Sequence, residues 1–98
     1  MIEIRRTAEF LKFVKHLRDA RASVKIARRI DRLEQGNPGD VKAVGEGISE
    51  MRIDYGPGYR VYFCKRGALL IVLLCGGDKK TQVTDIKLAK KLASEVEI

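Results

Sequence analysis

The residues of this 98-residue chain that can do chemistry gather in one stretch, Glu50-Met51-Arg52-Ile53-Asp54-Tyr55-Gly56-Pro57-Gly58-Tyr59-Arg60-Val61-Tyr62-Phe63-Cys64. Gly56-Pro57-Gly58 reads as the turn between two strands. With Tyr55 and Tyr59 flanking that loop, Asp54 faces Arg60, Arg52 faces Tyr62, and Glu50 faces Cys64. Strand side chains alternate between faces, so these six share one side of the hairpin. Met51, Ile53, Tyr55, Tyr59, Val61 and Phe63 take the other side, which is apolar and aromatic and is the side that helices must cover. Two uses of the polar side stand next to each other. It is a solvated sheet face, its Asp54–Arg60 cross-strand pair worth about 0.2–1 kcal/mol, or it is a phosphate-binding platform. The second use follows from guanidinium geometry, a planar fork that meets phosphate oxygens two at a time.

Further along, Cys75-Gly76-Gly77-Asp78-Lys79-Lys80 brings two more cations to the rim of the same sheet. Glycines there let a ligand approach the backbone closely, although the spacing is not that of a Walker loop. A one-residue slip of the hairpin would exchange its faces, so coordinates test the assignment directly. Tyr62 has two readings, as cover for the aliphatic stem of Arg52 or as a platform for a stacked base. His16 sits among apolar helix positions and reads as a surface or packing residue. Cys64 and Cys75 read as small strand fillers, because no second histidine exists to activate a thiol.

Ile2 and Ile4 alternate with charged residues and predict a short opening strand. Thr7 offers an N-cap hydroxyl to a helix carrying Phe10, Leu11, Val14 and Leu17. A second helix starts near Ser23, buries Ile26, Ile30 and Leu33, and stops at Gly36. Its opposite side presents Lys25, Arg28, Arg29 and Arg32 to solvent. Asn37-Pro38-Gly39-Asp40 is a turn. Residues 48–55 and 59–65 predict two strands, and 69–74, apolar on both parities, predicts a central strand covered on both faces. Gly76-Gly77 should end it, and Val83, Ile86, Ala89, Lys90 and Ala93 trace a closing helix. The expected order is β-α-α-β-β-β-α, an α+β fold with helices packed on one face of an antiparallel sheet. With no repeat or linker, residues 1–98 read as a single domain.

Composition narrows the function. The chain is 45% hydrophobic and 34% charged, which suits a modest packed core. Its longest uninterrupted apolar run, residues 68–75, falls far short of the ~20 needed to span a bilayer. Met1-Ile2-Glu3-Ile4-Arg5-Arg6 has no apolar run after its charges, so no secretory signal is expected. Two cysteines and one histidine make neither a four-ligand zinc site nor a disulfide framework. A reduced, cytoplasmic chain without metal or cofactor is the expectation. The net charge of +7 and pI near 9.7 favour a polyanionic partner, of which nucleic acid is the commonest. The excess lies in residues 1–35 and 59–80.

Residues 48–63, with Leu73-Leu74-Cys75-Gly76-Gly77-Asp78-Lys79-Lys80-Thr81-Gln82 after them, resemble the addiction-module killer proteins. These are the phage Gp49-like, HigB-type branch of the RelE/ParE toxin superfamily. The resemblance runs over nearly the whole chain, and Glu-x-Arg…Gly-Tyr-Arg-Val-Tyr followed by Gly-Gly-Asp-Lys carries it. It implies a RelE-like fold and the toxin of a type II toxin–antitoxin pair, a ribosome-dependent mRNA endonuclease that inhibits translation and is silenced by a helix-turn-helix, HigA-like antitoxin. The implied chemistry is metal-independent attack of an RNA 2′-OH on the adjacent phosphate, leaving a 2′,3′-cyclic phosphate and a 5′-OH. Arg60 matches the arginine such toxins place on the scissile phosphate, Arg52 assists it, and Lys79 and Lys80 match a basic pair after the last strand. Lys25, Arg28, Arg29 and Arg32, with Lys80, become contacts to the RNA backbone.

The chain also departs from that pattern. Many ribonuclease members carry a His or Tyr in the last-strand region as general acid or base, where this chain reads Cys75-Gly76-Gly77-Asp78. Glu50, Tyr62, Asp78 and Lys79 are the candidates for proton transfer, and fixed charge at Arg52, Arg60 and Lys79 can supply much of the rate. Two further readings fit the same fold: a ParE-like toxin that acts by binding DNA gyrase, and an inactive module that only binds its antitoxin.

Overall fold

The computed structural model describes residues 1–96. The chain opens with β1 (Glu3–Arg6), α1 (Ala8–Lys15) and α2 (Ala20–Glu34). It continues through β2 (Val41–Gly45), β3 (Ile48–Ile53), β4 (Tyr59–Lys65) and β5 (Leu70–Asp78). A 3₁₀ turn (Lys79–Thr81) leads into α3 (Gln82–Glu95). The five strands lie in the order β1-β5-β4-β3-β2, with β1 parallel to β5 and every other neighbour antiparallel. The α+β class holds, with one strand more than expected.

Side-chain hydroxyls and carboxylates fix the helix starts. Thr7 accepts from the Phe10 amide at 3.0 Å and donates to the Leu74 carbonyl, so one residue both caps α1 and ties it to β5. α2 begins earlier than expected because Asp19 is its cap, accepting from the Arg21 amide at 2.9 Å and the Ala22 amide at 3.3 Å. Its other oxygen accepts from the Tyr55 phenol at 2.9 Å, which moors the loop between β3 and β4 to the start of α2. That hydrogen bond holds the Asp19 carboxyl below its ordinary range and raises the Tyr55 phenol. Gly36 (φ 88°) closes α2 with its amide on the Leu33 carbonyl.

The helices cover both faces of the sheet, as the doubly apolar run 69–74 required, whereas the expected fold class had placed them on one face. Phe10 of α1 and Ile26, Ile30 and Leu33 of α2 pack on Met51, Ile53, Val61, Phe63, Ile71 and Leu73. On the reverse, Ala89 of α3 joins Ile48, Tyr62, Cys64, Val72, Leu74 and Cys75, with Ile86 and Leu92 beside them. The thiols of Cys64 and Cys75 are buried and free, and burial pushes Cys75 up to about 12 and Cys64 in the same direction. His16 is exposed, its Nδ1 2.7 Å from the Lys12 carbonyl.

Two segments depart from the sequence-based expectation. The additional strand β2 is short and half-exposed, with a register shift between Ala43 and Gly45. Glu46 (φ 53°) and Gly47 (φ 78°) join it to β3 in a two-residue turn, and positive φ at both central positions matches the twist of a hairpin. β5 does not break at Gly76-Gly77: Gly76 pairs with Val61, Gly77 with Arg60 and Asp78 with Tyr59. The glycines answer to packing instead. A Cβ on Gly76 would lie 2.4 Å from the Phe13 ring, and one on Gly77 would collide with the Asp85 carboxylate. Gly76→Ala is therefore expected to destabilise the fold by roughly 1–3 kcal/mol, the cost of overpacking. Adding Phe13→Leu should recover part of the loss, as chemical denaturation of the single and double variants will measure.

Candidate functional site

Observed pairing of β3 with β4 sets Glu50 opposite Tyr62, Arg52 opposite Arg60 and Ile53 opposite Tyr59. This differs by two residues from the expected pairing, in which Asp54 faced Arg60, Arg52 faced Tyr62 and Glu50 faced Cys64. Asp54 leaves the ladder, and the connection runs over residues 54–58, closed by Tyr55 N–H to the Ile53 carbonyl and Gly58 N–H to the Tyr55 carbonyl. A shift of two preserves parity. Arg52 and Arg60 therefore share a face, beyond the end of the layer that α3 covers.

There they line an open cavity of about 480 Å³ with Asp40, Asp54, Gly56, Pro57, Gly58 and Lys79. Lys79 arrives from the 3₁₀ turn, whose packing brings its Cβ within 3.6 Å of the point where a Gly58 Cβ would stand. Asp78 fixes that turn by accepting from the Lys80 amide at 2.8 Å and the Thr81 amide at 3.3 Å. Its Oδ1 thereby serves as the cap, and Asp78 does not line the cavity. Lys80 is exposed in the same turn and does not line the cavity.

The two arginines differ in how they are held. The Arg52 side chain is 38% exposed, with Nη2 3.4 Å from Asp40 Oδ1. The Arg60 side chain is 12% exposed. Its Nη1 donates to the Gly58 carbonyl at 3.1 Å, and its Nε lies 3.7 Å from Glu50 Oε1. Glu50 and Tyr62 are both fully buried, at 0% exposure, and neither lines the cavity. The Tyr62 phenol donates to Glu50 Oε2 at 3.0 Å, and Gln82 Nε2 donates to the same oxygen at 2.7 Å. Burial, reinforced by the bond to Glu50, pushes the Tyr62 phenol far above its ordinary range. Tyr62 neither stacks on a solvent-borne base nor covers Arg52 from outside, since α3 seals it. Gln82 carried no sequence signal, because only the fold brings the first residue of α3 to a β3 carboxylate.

Of the four α2 cations, Lys25, Arg28 and Arg32 are exposed and, with Arg29, Ile53 and Asp54, line a second depression of about 240 Å³. Asp54 belongs to both hollows, so the basic side of α2 runs into the arginine cavity. Lys25 also lies 5.2 Å over the Tyr55 ring. Arg29 does not face solvent as its helical position suggested. Nη1 donates to the Arg52 carbonyl at 2.6 Å, and Nη2 to the carbonyls of Pro38 at 3.1 Å and Asp40 at 3.2 Å. It clamps the turn before β2 against the end of β3, and burial lowers its guanidinium from the ordinary arginine value. A larger groove of about 520 Å³, between α1 and α3 over Gly76, mixes Glu9 and Asp85 with Lys12 and Arg18 and so lacks a field of one sign. Among the described residues no three His, Cys, Asp or Glu side chains come together as a metal site needs.

The division within α2 is measurable. Arg29→Ala removes the side-chain donor from three carbonyls, of which that of Asp40 keeps the Arg52 amide, and is expected to cost roughly 1–3 kcal/mol. Arg28→Ala should change stability by no more than about 0.5 kcal/mol, while lowering the salt concentration that elutes the protein from a cation-exchange resin. Denaturant titration and salt-gradient elution check the two halves.

Over 95 residues the chain is 52% identical to an uncharacterized protein of Haemophilus influenzae (strain ATCC 51907 / DSM 11121 / KW20 / Rd), covering 97% of this chain and 96% of that one. No solved structure matches it. Residues 12–95, which include both arginines of the cavity, Lys79 and the buried Glu50, match the family described as phage derived protein Gp49-like (DUF891), and the chain belongs to that family.

Proposed function

We propose that the chain is the toxin of a type II toxin–antitoxin pair, cutting mRNA on the ribosome and so halting translation. The observation that supports this most is the convergence of Arg52, Arg60 and Lys79 on one open cavity. Membership of the Gp49-like family and the basic side of α2 point the same way. The partners in this reading are the ribosome, its mRNA and a helix-turn-helix antitoxin, met in the cytoplasm. No helix of the described residues is long and apolar enough to cross a membrane.

In the proposed reaction the RNA 2′-oxygen bonds to the adjacent phosphorus and the P–O5′ bond breaks, giving a 2′,3′-cyclic phosphate and a 5′-OH. The 2′-OH proton leaves to a base, and the departing 5′-oxygen takes one up. Arg60 and Arg52 meet the non-bridging oxygens as charge builds on the phosphorane, and Lys79 adds a third positive charge; fixed donors of this kind supply a large share of such accelerations. Glu50 and Tyr62 are sealed beneath the cavity, and Asp78 caps the 3₁₀ turn through Oδ1 and lies outside the cavity lining. Asp40 is engaged by Arg52, whereas Asp54 is exposed and makes no hydrogen bond among the described residues. Asp54 is thus the carboxylate placed to accept the 2′-OH proton, with Lys79 beside the leaving oxygen.

Primer extension on mRNA after induction tests the reading. Wild type should create new 5′ ends, and Arg52→Ala and Arg60→Lys should each reduce them roughly 10²-fold or more. Arg60→Lys serves better than Arg60→Ala, because it keeps a cation beside buried Glu50 and removes only the fork. Asp54→Asn should slow cleavage by a smaller factor, roughly 10- to 100-fold, within the range for a positioned base. Intact mRNA together with growth arrest and a DNA-damage response would replace this reading with gyrase binding. Intact mRNA without arrest would leave only an antitoxin-binding module.

A further inference from the structure

Below the cavity lies a buried charge that the cleavage scheme does not use. Glu50 is fully buried on β3, and the carboxylate meets three elements. Oε2 accepts from Tyr62 of β4 and from Gln82 at the head of α3. Oε1 has no hydrogen bond and lies 3.7 Å from Arg60 Nε, itself buried and without a hydrogen-bond partner. Burying a carboxylate is costly, and a buried ion pair is often no more stabilising than an apolar pair of the same shape. Stability is thus a poor account of this arrangement, whereas direction is a good one. With Nε facing Glu50 and Nη1 held by the Gly58 carbonyl, Arg60 has two fixed points, and its Nη2 makes no hydrogen bond among the described residues.

We propose that Glu50 is a positioning residue: fixed by Tyr62 and Gln82, it sets the direction in which Arg60 presents its guanidinium to a phosphate in the cavity. The inference rests on the reading of Arg60 as a phosphate ligand. Its physical basis is the donor count. Two neighbours, Tyr62 and Gln82, donate to Oε2, and the third, the Arg60 Nε–H edge, faces Oε1 as an ion pair at 3.7 Å, so the position calls for an acceptor oxygen on both sides. A glutamine there has one acceptor oxygen and one donor nitrogen, and whichever way it turns an N–H meets Arg60 or meets Tyr62 and Gln82. Tyr62 and Gln82 hold the carboxylate in place, and through Gln82 the start of α3 sets the aim of a side chain on β4.

The test is the Arg60 Nε–Hε resonance in ¹⁵N-labelled protein, assigned by its disappearance in Arg60→Lys. In wild type it should lie downfield and exchange slowly with water. In Glu50→Gln it should move upfield and exchange faster, and a short RNA carrying a 2′-deoxy, uncleavable nucleotide should bind roughly tenfold more weakly, about the loss of one charge-assisted hydrogen bond. An unmoved resonance in a folded Glu50→Gln protein would overturn the proposal. Should that variant fail to fold, Tyr62→Phe removes one anchor and keeps the carboxylate, and the same resonance must shift; its constancy there also overturns the proposal. A wild type that cuts no RNA but whose Arg60 signal responds to both substitutions retains the positioning role and discards only the nuclease reading.

Discussion

Arg52 and Arg60 stand directly opposite each other on one face of an antiparallel pair, where like charges repel. Much of the local structure answers this juxtaposition. Each guanidinium has its own carboxylate, Asp40 from the turn before β2 for Arg52 and Glu50 from within β3 for Arg60. The two partnerships differ in kind. Asp40 is exposed and its pair is solvent-screened, so it adds little stability. Glu50 is dry, and breaking its pair would leave a buried charge. One arginine is consequently held weakly and from the solvent side, while the other is held from the protein interior.

How much of this was legible follows from the period of a strand. Side chains repeat every two residues, so the hairpin faces could be assigned even though the pairing was misplaced by two. What failed was the loop, because Tyr55 reads as a strand residue while its phenol is committed to Asp19 on another element. Residues 69–74, apolar on both parities, correctly required cover on both sides of the central strand, and α3 supplies the second cover. That cover turns Glu50 and Tyr62 from surface candidates into buried ones. Arg29 was misread for a related reason: helical spacing gives the direction of a side chain, but not that a turn's carbonyls wait in that direction. β2 was missed because a short, half-exposed strand ending in a glycine-rich turn resembles a loop in composition.

The cavity is assembled from pieces far apart in sequence, and small contacts set their alignment. Thr7 ties α1 to β5, Asp19 ties α2 to the loop over residues 54–58, and Asp78 shapes the turn that delivers Lys79. Each is a short polar side chain at the end of an element, where backbone groups lack regular partners. The same contacts that start the helices therefore also orient the cations.

The register shift in β2 bears on how copies of this protein meet. An outermost strand with unpaired amides invites another chain to extend the sheet. Here the irregularity between Ala43 and Gly45 bends that rim, Lys42 is exposed upon it, and Lys90 of α3 reaches Glu46 at its tip across 3.2 Å. A sixth strand would find neither a straight template nor an uncharged one, so the sheet ends at β2 and this rim resists edge-to-edge aggregation.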